Sequence, residues 1–314
     1  MPPDVSLRAP TDPISDADFA AVVDVSTAQD IGWWGSPDGD DDDVRATLDR
    51  VRECHGRLDG GVRLAIDERT GCVVGVAMLF AHGQTNVAVD PESDVAGAAL
   101  GALLDWLIEA GATSFDVPSH DAAHAAALLD RGILPTRSSF ELQRVAPLDD
   151  LDATVWPDGI TTLPYRPGVD DQEVHDLIYS VWTDVAGHTH RPIDEWRSLF
   201  VDGPWFDPAL VILARVPDGR LAGATLCRTF TGGIGWVSQI AVGRPDRGIG
   251  LGRAMLVEAL HRLAAIPDVE TLGLSVEADN TNALGLYRSV GLEVAREWVH
   301  SSRSAAASAD GPIS

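Results

Sequence analysis

Two periods alternate along this 314-residue chain. Short runs in which every second position is apolar read as half-buried strands, and longer stretches with apolar residues three and four apart read as amphipathic helices. The first part predicts a strand from Val5, a helix about Ser15–Gln29, an acidic loop and a helix about Asp42–Cys54. Strands follow at Val62–Asp67 and Cys72–Phe80 around the turn Glu68-Arg69-Thr70-Gly71, then near Thr85–Val89, at Ser114–Val117 and at Arg137–Arg144. Helices are predicted at Ala96–Gly111 and His120–Arg131. Residues 146–158 are rich in Pro and Asp and read as a linker. After it the same order returns: strand Ile160–Tyr165, helices Asp170–Val185 and Ile193–Phe200, and a hairpin Leu210–Val216 with Leu221–Thr229. A central strand then runs to Val242, a helix to about Ala265, a strand over Glu270–Glu277, a helix over Thr281–Val290 and a strand over Leu292–Val299. The Ser- and Ala-rich residues 301–314 read as a disordered tail.

The two halves can be laid on one another. Val89 falls on Val242, Gly97 on Gly250 and Ala99 on Gly252; after a small gap Asp121 falls on Asn280, Leu128 on Tyr287 and Gly132 on Gly291. The chain therefore reads as an internal duplication. Its expected class is α/β, of the α+β kind with mixed sheets, in two tandem domains at 1–145 and 159–300.

The chemistry concentrates where the central strand of the second half turns into its helix. Gly248, Gly250 and Gly252 alternate there, between Arg247 and Arg253. Glycines admit positive φ and a close approach of backbone to ligand, and the unpaired N–H groups at a helix start suit phosphate oxygens. Three readings compete: a turn whose glycines serve packing alone, a dinucleotide-binding turn, and an acyl-CoA pyrophosphate cradle. The dinucleotide turn requires G-x-G-x-x-G with an acid after the next strand. Here the spacing is G-x-G-x-G, and Glu270 precedes that strand.

The pattern Arg247-x-x-Gly250-x-Gly252 resembles the acyl-CoA loop of the GNAT superfamily of N-acetyltransferases. Downstream, Asn280, Ala283, Leu286, Tyr287 and Gly291 match that family's N-x-x-A-x-x-L-Y-x-x-x-G-F, with Leu292 in the last place. The resemblance implies acetyl-CoA as co-substrate and a small amine as acceptor. It implies that Arg247, Gly248, Ile249, Gly250, Leu251, Gly252 and Arg253 hold the pyrophosphate. The backbone of Ile240, Ala241 and Val242 would bond the pantetheine arm, with help from Asn280. Tyr287 is implied as the proton or hydrogen-bond donor to the departing thiolate. Its alternative is a core aromatic at helical spacing. The base that deprotonates the amine is left open among Glu277, Ser238 (through a water), Asp184, His188 and His190. The stretch Gly187-His188-Thr189-His190 reads as a substrate loop rather than a metal site. In the first half Asp94 stands where Arg247 stands and Leu128 replaces the tyrosine, so catalysis is expected in the second half alone.

Within the family, Gly187-His188 and Pro204-Trp205-Phe206-Asp207-Pro208 are similar to the second domain of the tandem mycothiol synthases. This chain has Trp236 where they carry an acid, and Ala224-Thr225 where they carry His-Trp. Acetylation of a sugar-cysteine amine is thus an alternative acceptor chemistry. A sensor that binds acyl-CoA without turnover is a second alternative.

Composition changes the picture in two ways. The net charge is −25 and every basic residue is an arginine. Such a field repels nucleic acid and anionic membranes, so neither is expected as a partner; it suits a cationic substrate or a high-salt setting equally. Cys54, Cys72 and Cys227 form neither a zinc pattern nor a disulfide framework. No metal, signal peptide or membrane span is expected, which reads as a cytoplasmic protein, a monomer or weak homodimer.

Overall fold

A computed structural model describes residues 4–35, 41–182, 190–203 and 205–303. Over these residues the chain forms two compact units: one built from the stretch up to Ser139 together with the stretch from Glu297, the other from Phe140–Arg296.

In the first unit, β1 (Val5–Arg8), β2 (Val62–Asp67), β3 (Val73–Leu79) and β4 (Thr85–Val89) make an antiparallel sheet in sequence order. Its pleat sends alternate residues to opposite faces. Ala77 and Leu79 pack with Leu103, Leu104 and Leu107 of α3 (Ala96–Glu109). Val76 and Met78 pack with Val22 and Val25 of α1 (Asp16–Trp34) and Leu48 and Val51 of α2 (Asp41–His55). Helices therefore cover both faces. Ser15 caps α1 by accepting from the Asp18 amide, and Gly35, at φ 79°, ends it. Asp41, Asp42 and Asp43 of the acidic run sit in the first turn of α2, where carboxylates meet the positive end of the helix dipole. β5 (Ser114–Pro118), α4 (Ala122–Leu129) and the start of β6 (Ile133–Val145) follow.

The second unit repeats this plan. β7 (Thr161–Leu163), β8 (Val211–Arg215), β9 (Leu221–Phe230) and β10 (Ile234–Val242) are antiparallel neighbours, and β11 (Thr271–Glu277) pairs parallel with β10. Val174 and Ile178 of α5 (Asp171–Trp182) and Trp196 of α6 (Ile193–Phe200) cover one face, against Leu213, Ala224, Leu226 and Ala241. Leu256, Leu260 and Leu263 of α7 (Leu251–Ala264) cover the other, with Leu284 and Tyr287 of α8 (Thr281–Arg288). The segment read as a linker is bound to this core, since Leu148, Leu151 and Trp156 pack against it.

The repeats exchange their closing strands. The order in the second sheet is β5-β12-β6-β11-β10-β9-β8-β7, with β12 at Glu293–Arg303. The end of β6, from Phe140, belongs to the second unit, and β12 from Glu297 belongs to the first. Trp298–Ser302 pair antiparallel with Ser114–Pro118. His300 fastens this edge: its Nδ1 lies 2.7 Å from Asp116 Oδ1, its Nε2 lies 2.7 Å from Ser139 Oγ, and its carbonyl accepts from Thr136 Oγ1 at 3.0 Å. Ser301, read from the sequence as the start of the tail, is instead a buried strand residue paired with Phe115. A ladder partner decides that outcome, and local composition does not contain it. Among the described residues no helix is long and apolar enough to cross a membrane.

Candidate functional site

The site begins where two parallel strands part. The β10–β11 register runs from Ile234↔Thr271 to Val237↔Leu274 and stops there, while β10 stays paired with β9 as far as Val242↔Gly223. A bulge between Val237 and Gln239 marks the parting and falls on Ser238. An extra residue in one strand increases local twist and frees backbone on the side that loses its partner. Ile240, Ala241 and Val242 lie just beyond this point.

The chain then passes Gly243, a 3-10 turn over Arg244–Asp246, and the glycine loop into α7. Asp246 anchors the turn; its buried carboxylate takes two hydrogen bonds from Arg220, at 2.7 and 3.0 Å. This pair raises the Arg220 guanidinium above its ordinary value. Gly248 and Gly250 hold φ of 79° and 88°, the left-handed region that favours glycine. A Cβ on either would meet nothing within 4 Å, so the space over the loop is open. Gly252 differs from the expectation for all three glycines: it lies inside α7, where a Cβ would touch Leu286 and Val242 at 3.7 Å. Gly250 is the N-cap of α7 and has no side chain to bond the first amides. Those amides stand at the positive end of the helix dipole, beside the parted strands.

The basic residues at the loop differ in their surroundings. Arg247 is exposed and donates from Nε to the Val242 carbonyl at 3.1 Å. Arg253 is paired with Asp152, which offsets part of the charge that it brings to the helix start. Ile249 is exposed and Leu251 is buried.

From β11 the chain enters α8 through Asn280, whose Oδ1 accepts from the Ala283 amide at 3.2 Å as the N-cap. Two turns on, Tyr287 is 7% exposed among Leu284, Val290 and Leu292. Burial pushes its phenol up to about 12. Glu277 ends β11 and is half-buried. Ser238 Oγ is buried and has no hydrogen-bond partner among the described residues. Asp184 and His188 lie outside the described residues. His190 is described and lies against Tyr179, with centroids 4.7 Å apart and ring planes tilted by 43°, and edge-on to His175 at 5.3 Å. Among the described residues no group of three or more His, Cys, Asp or Glu is placed to hold a metal ion.

Three features escaped the sequence reading. The Arg220–Asp246 anchor is one. Gln239 is another: 2% exposed on the α5 face, its Oε1 accepts from Trp196 Nε1 at 2.9 Å, and its Nε2 has no partner among the described residues. The alternation Val237, Gln239, Ala241 held that signal, a polar residue at an inward position. The third is the place taken by the ring of Trp236, a residue the sequence singled out: it lies over Gly273, where a Cβ would come within 2.5 Å of it. An indole thus covers β11 at Gly273.

Known proteins resemble this chain in sequence and in fold. The model of the acetyltransferase (GNAT) family matches residues 172–292. The chain is 32% identical over 244 residues to a mycothiol acetyltransferase of Kineococcus radiotolerans, covering 74% of this chain and 78% of the relative. It is 32% identical over 263 residues to a mycothiol acetyltransferase of Clavibacter michiganensis, covering 79% and 82%. In fold it is similar to a GCN5-related N-acetyltransferase from Sphaerobacter thermophilus, with a TM-score of 0.77 and 24% identity over 96% of each chain. A tandem GNAT protein of the clavulanic acid pathway gives a TM-score of 0.68 at 16% identity, covering 99% of this chain and 100% of that one.

Proposed function

Because this chain belongs to the acetyltransferase (GNAT) family, we propose that it transfers the acetyl group of acetyl-CoA to a primary amine of a small molecule, at the site formed by β10, α7, β11 and α8. The observation that carries the reading is the parting of β10 from β11 after Val237, beside an uncapped helix start. Acetyl-CoA is the co-substrate of this family and supplies the acetyl group as a thioester. The amides from Gly248 to Arg253 and the Arg247 guanidinium hold its pyrophosphate. The backbone of Ile240, Ala241 and Val242 holds the pantetheine arm and polarises the thioester carbonyl. Asn280 steadies that arm from the start of α8.

In the reaction a C–N bond forms and the C–S bond breaks, and the amine proton passes to a base, Glu277 or Ser238 through water. Tyr287 would be the donor to the sulfur. A phenol at about 12 against a thiol near ~8.5 makes full proton transfer uphill by about 5 kcal/mol, so Tyr287 acts by a hydrogen bond to the thiolate. Release of free thiol from acetyl-CoA across a panel of amines tests the proposal. Tight CoA binding with no release for any acceptor would leave only an acyl-CoA sensor. A sugar-cysteine amine is the second acceptor reading, supported by the relatives named as mycothiol acetyltransferases. The sequence departures noted at Trp236 and Ala224-Thr225 are the reason a simpler amine is kept as the first reading.

A further inference from the structure

The first unit contains a cavity of about 430 Å³, within the size range of small-molecule pockets. It is walled by the end of β4, the start of α3, the start of α4 and one side of α1. In the repeat these are the counterparts of β10, α7 and α8, yet the wall chemistry has changed sign. No arginine lines it: Leu100 stands where Arg253 stands, and Asp94, the counterpart of Arg247, points to solvent near Arg69. His124 is buried, and desolvation lowers its pKa below the usual histidine value, so it adds no cation. The amide of Val89, matching Val242, is taken by Oε1 of the buried Gln29 from α1. The position that an extended pantetheine arm would bond is thus filled by the protein itself.

A carboxylate and an indole are left at the wall. Asp121 accepts the His124 amide at 2.9 Å through Oδ1 and Trp33 Nε1 at 2.8 Å through Oδ2. A carboxylate offers about four acceptor sites, so these two bonds leave capacity toward the cavity that it lines. Trp33 is held edge-on by Trp34 at 6.2 Å and Trp298 at 6.0 Å, which fixes the indole before any ligand arrives. A fixed aromatic wall with a carboxylate beside it, His120 at the same wall and no arginine, attracts a positive charge carried on an apolar body.

We propose that this cavity is a second ligand site, for a small organic cation, and that it does not take CoA. Benzyltrimethylammonium is a suitable probe because a quaternary nitrogen cannot be acetylated, so any binding is separate from turnover. Neopentylbenzene is its neutral isostere. Calorimetry on the full chain should show binding of the cation at least about tenfold tighter than of the isostere. Asp121→Asn should erase that preference. Gly97→Phe should abolish binding, since a Cβ at Gly97 meets nothing within 4 Å and the ring enters open space. Leu100→Arg should repel the cation while the isostere still binds. Melting curves of each variant establish that it is folded. The proposal is overturned if the cation fails to bind at millimolar concentration or binds unchanged to folded Gly97→Phe. It also fails if cation and isostere bind alike, or if CoA displaces the probe from an Arg247→Asp chain.

Discussion

At Tyr287 the surroundings of one hydroxyl decide what it contributes. Packing against Leu284, Val290 and Leu292 buries the ring and raises the phenol to about 12. Between pH 6 and 10 the group stays protonated and remains a donor, so its own ionisation leaves no mark on the rate. Tyr287→Phe keeps the ring and removes only the hydroxyl. We expect turnover to fall by about one to two orders of magnitude, with the KM for acetyl-CoA unchanged. The pH profiles of the two proteins should share their inflections, which belong to the acceptor amine or its base. A Phe variant with unchanged turnover, chemistry being rate-limiting, would return Tyr287 to the core. The sequence made Tyr287 visible through its spacing from Asn280, whereas Gln239 stayed hidden as one polar residue in an apolar run. What distinguishes Gln239 is its bond to Trp196, from an element 43 positions away in the chain.

At the scale of elements, the loop into α7 was legible because glycine alternation is local information. The structure adds that Gly250 sits at φ 88°, so Gly250→Val brings backbone strain of about 1–3 kcal/mol as well as a side chain over the cradle. Gly250→Ala separates the two effects, sharing most of the strain with less bulk. Calorimetry on folded Val variant should find no CoA binding, and an unchanged affinity would remove the cradle from this loop. The exchange of β6 and β12 could not be read from the sequence. Both repeats end in a strand of the same character, and either closes either sheet with the same ladder bonds. What fixes the choice includes His300, bonded to Asp116 on one side and Ser139 on the other. His300→Ala removes both bonds, and the half-exposed Asp116 tempers their worth. A destabilisation of about 1–2 kcal/mol is expected in denaturant unfolding. No change would show that backbone pairing alone holds the edge.

For the whole molecule, we infer that the duplication kept what folds and dropped what reacts. Each unit has helices on both faces of a sheet and a glycine at the helix start after its fourth strand. Only the second joins that frame to Arg247, Asn280 and Tyr287. In a chain of net charge −25, an anion such as CoA needs a local reversal of the field, and in the function proposed above Arg247 with the first amides of α7 would supply one. The first unit presents Asp94 at the matching position, and Gln29 already bonds the matching strand amide. We therefore expect one tight acetyl-CoA site per chain. Two unit charges ~4 Å apart interact by ~4 kcal/mol at an effective dielectric of ~20. Arg247 is exposed, so solvent and salt screen that figure, and a loss of affinity of at least about tenfold is the expectation for Arg247→Asp. Calorimetry should give a stoichiometry near one for the natural chain and no tight site for the variant. Two equivalent sites, or turnover that survives Arg247→Asp and is lost when Gly97 is replaced, would move the chemistry to the first unit and contradict this assignment.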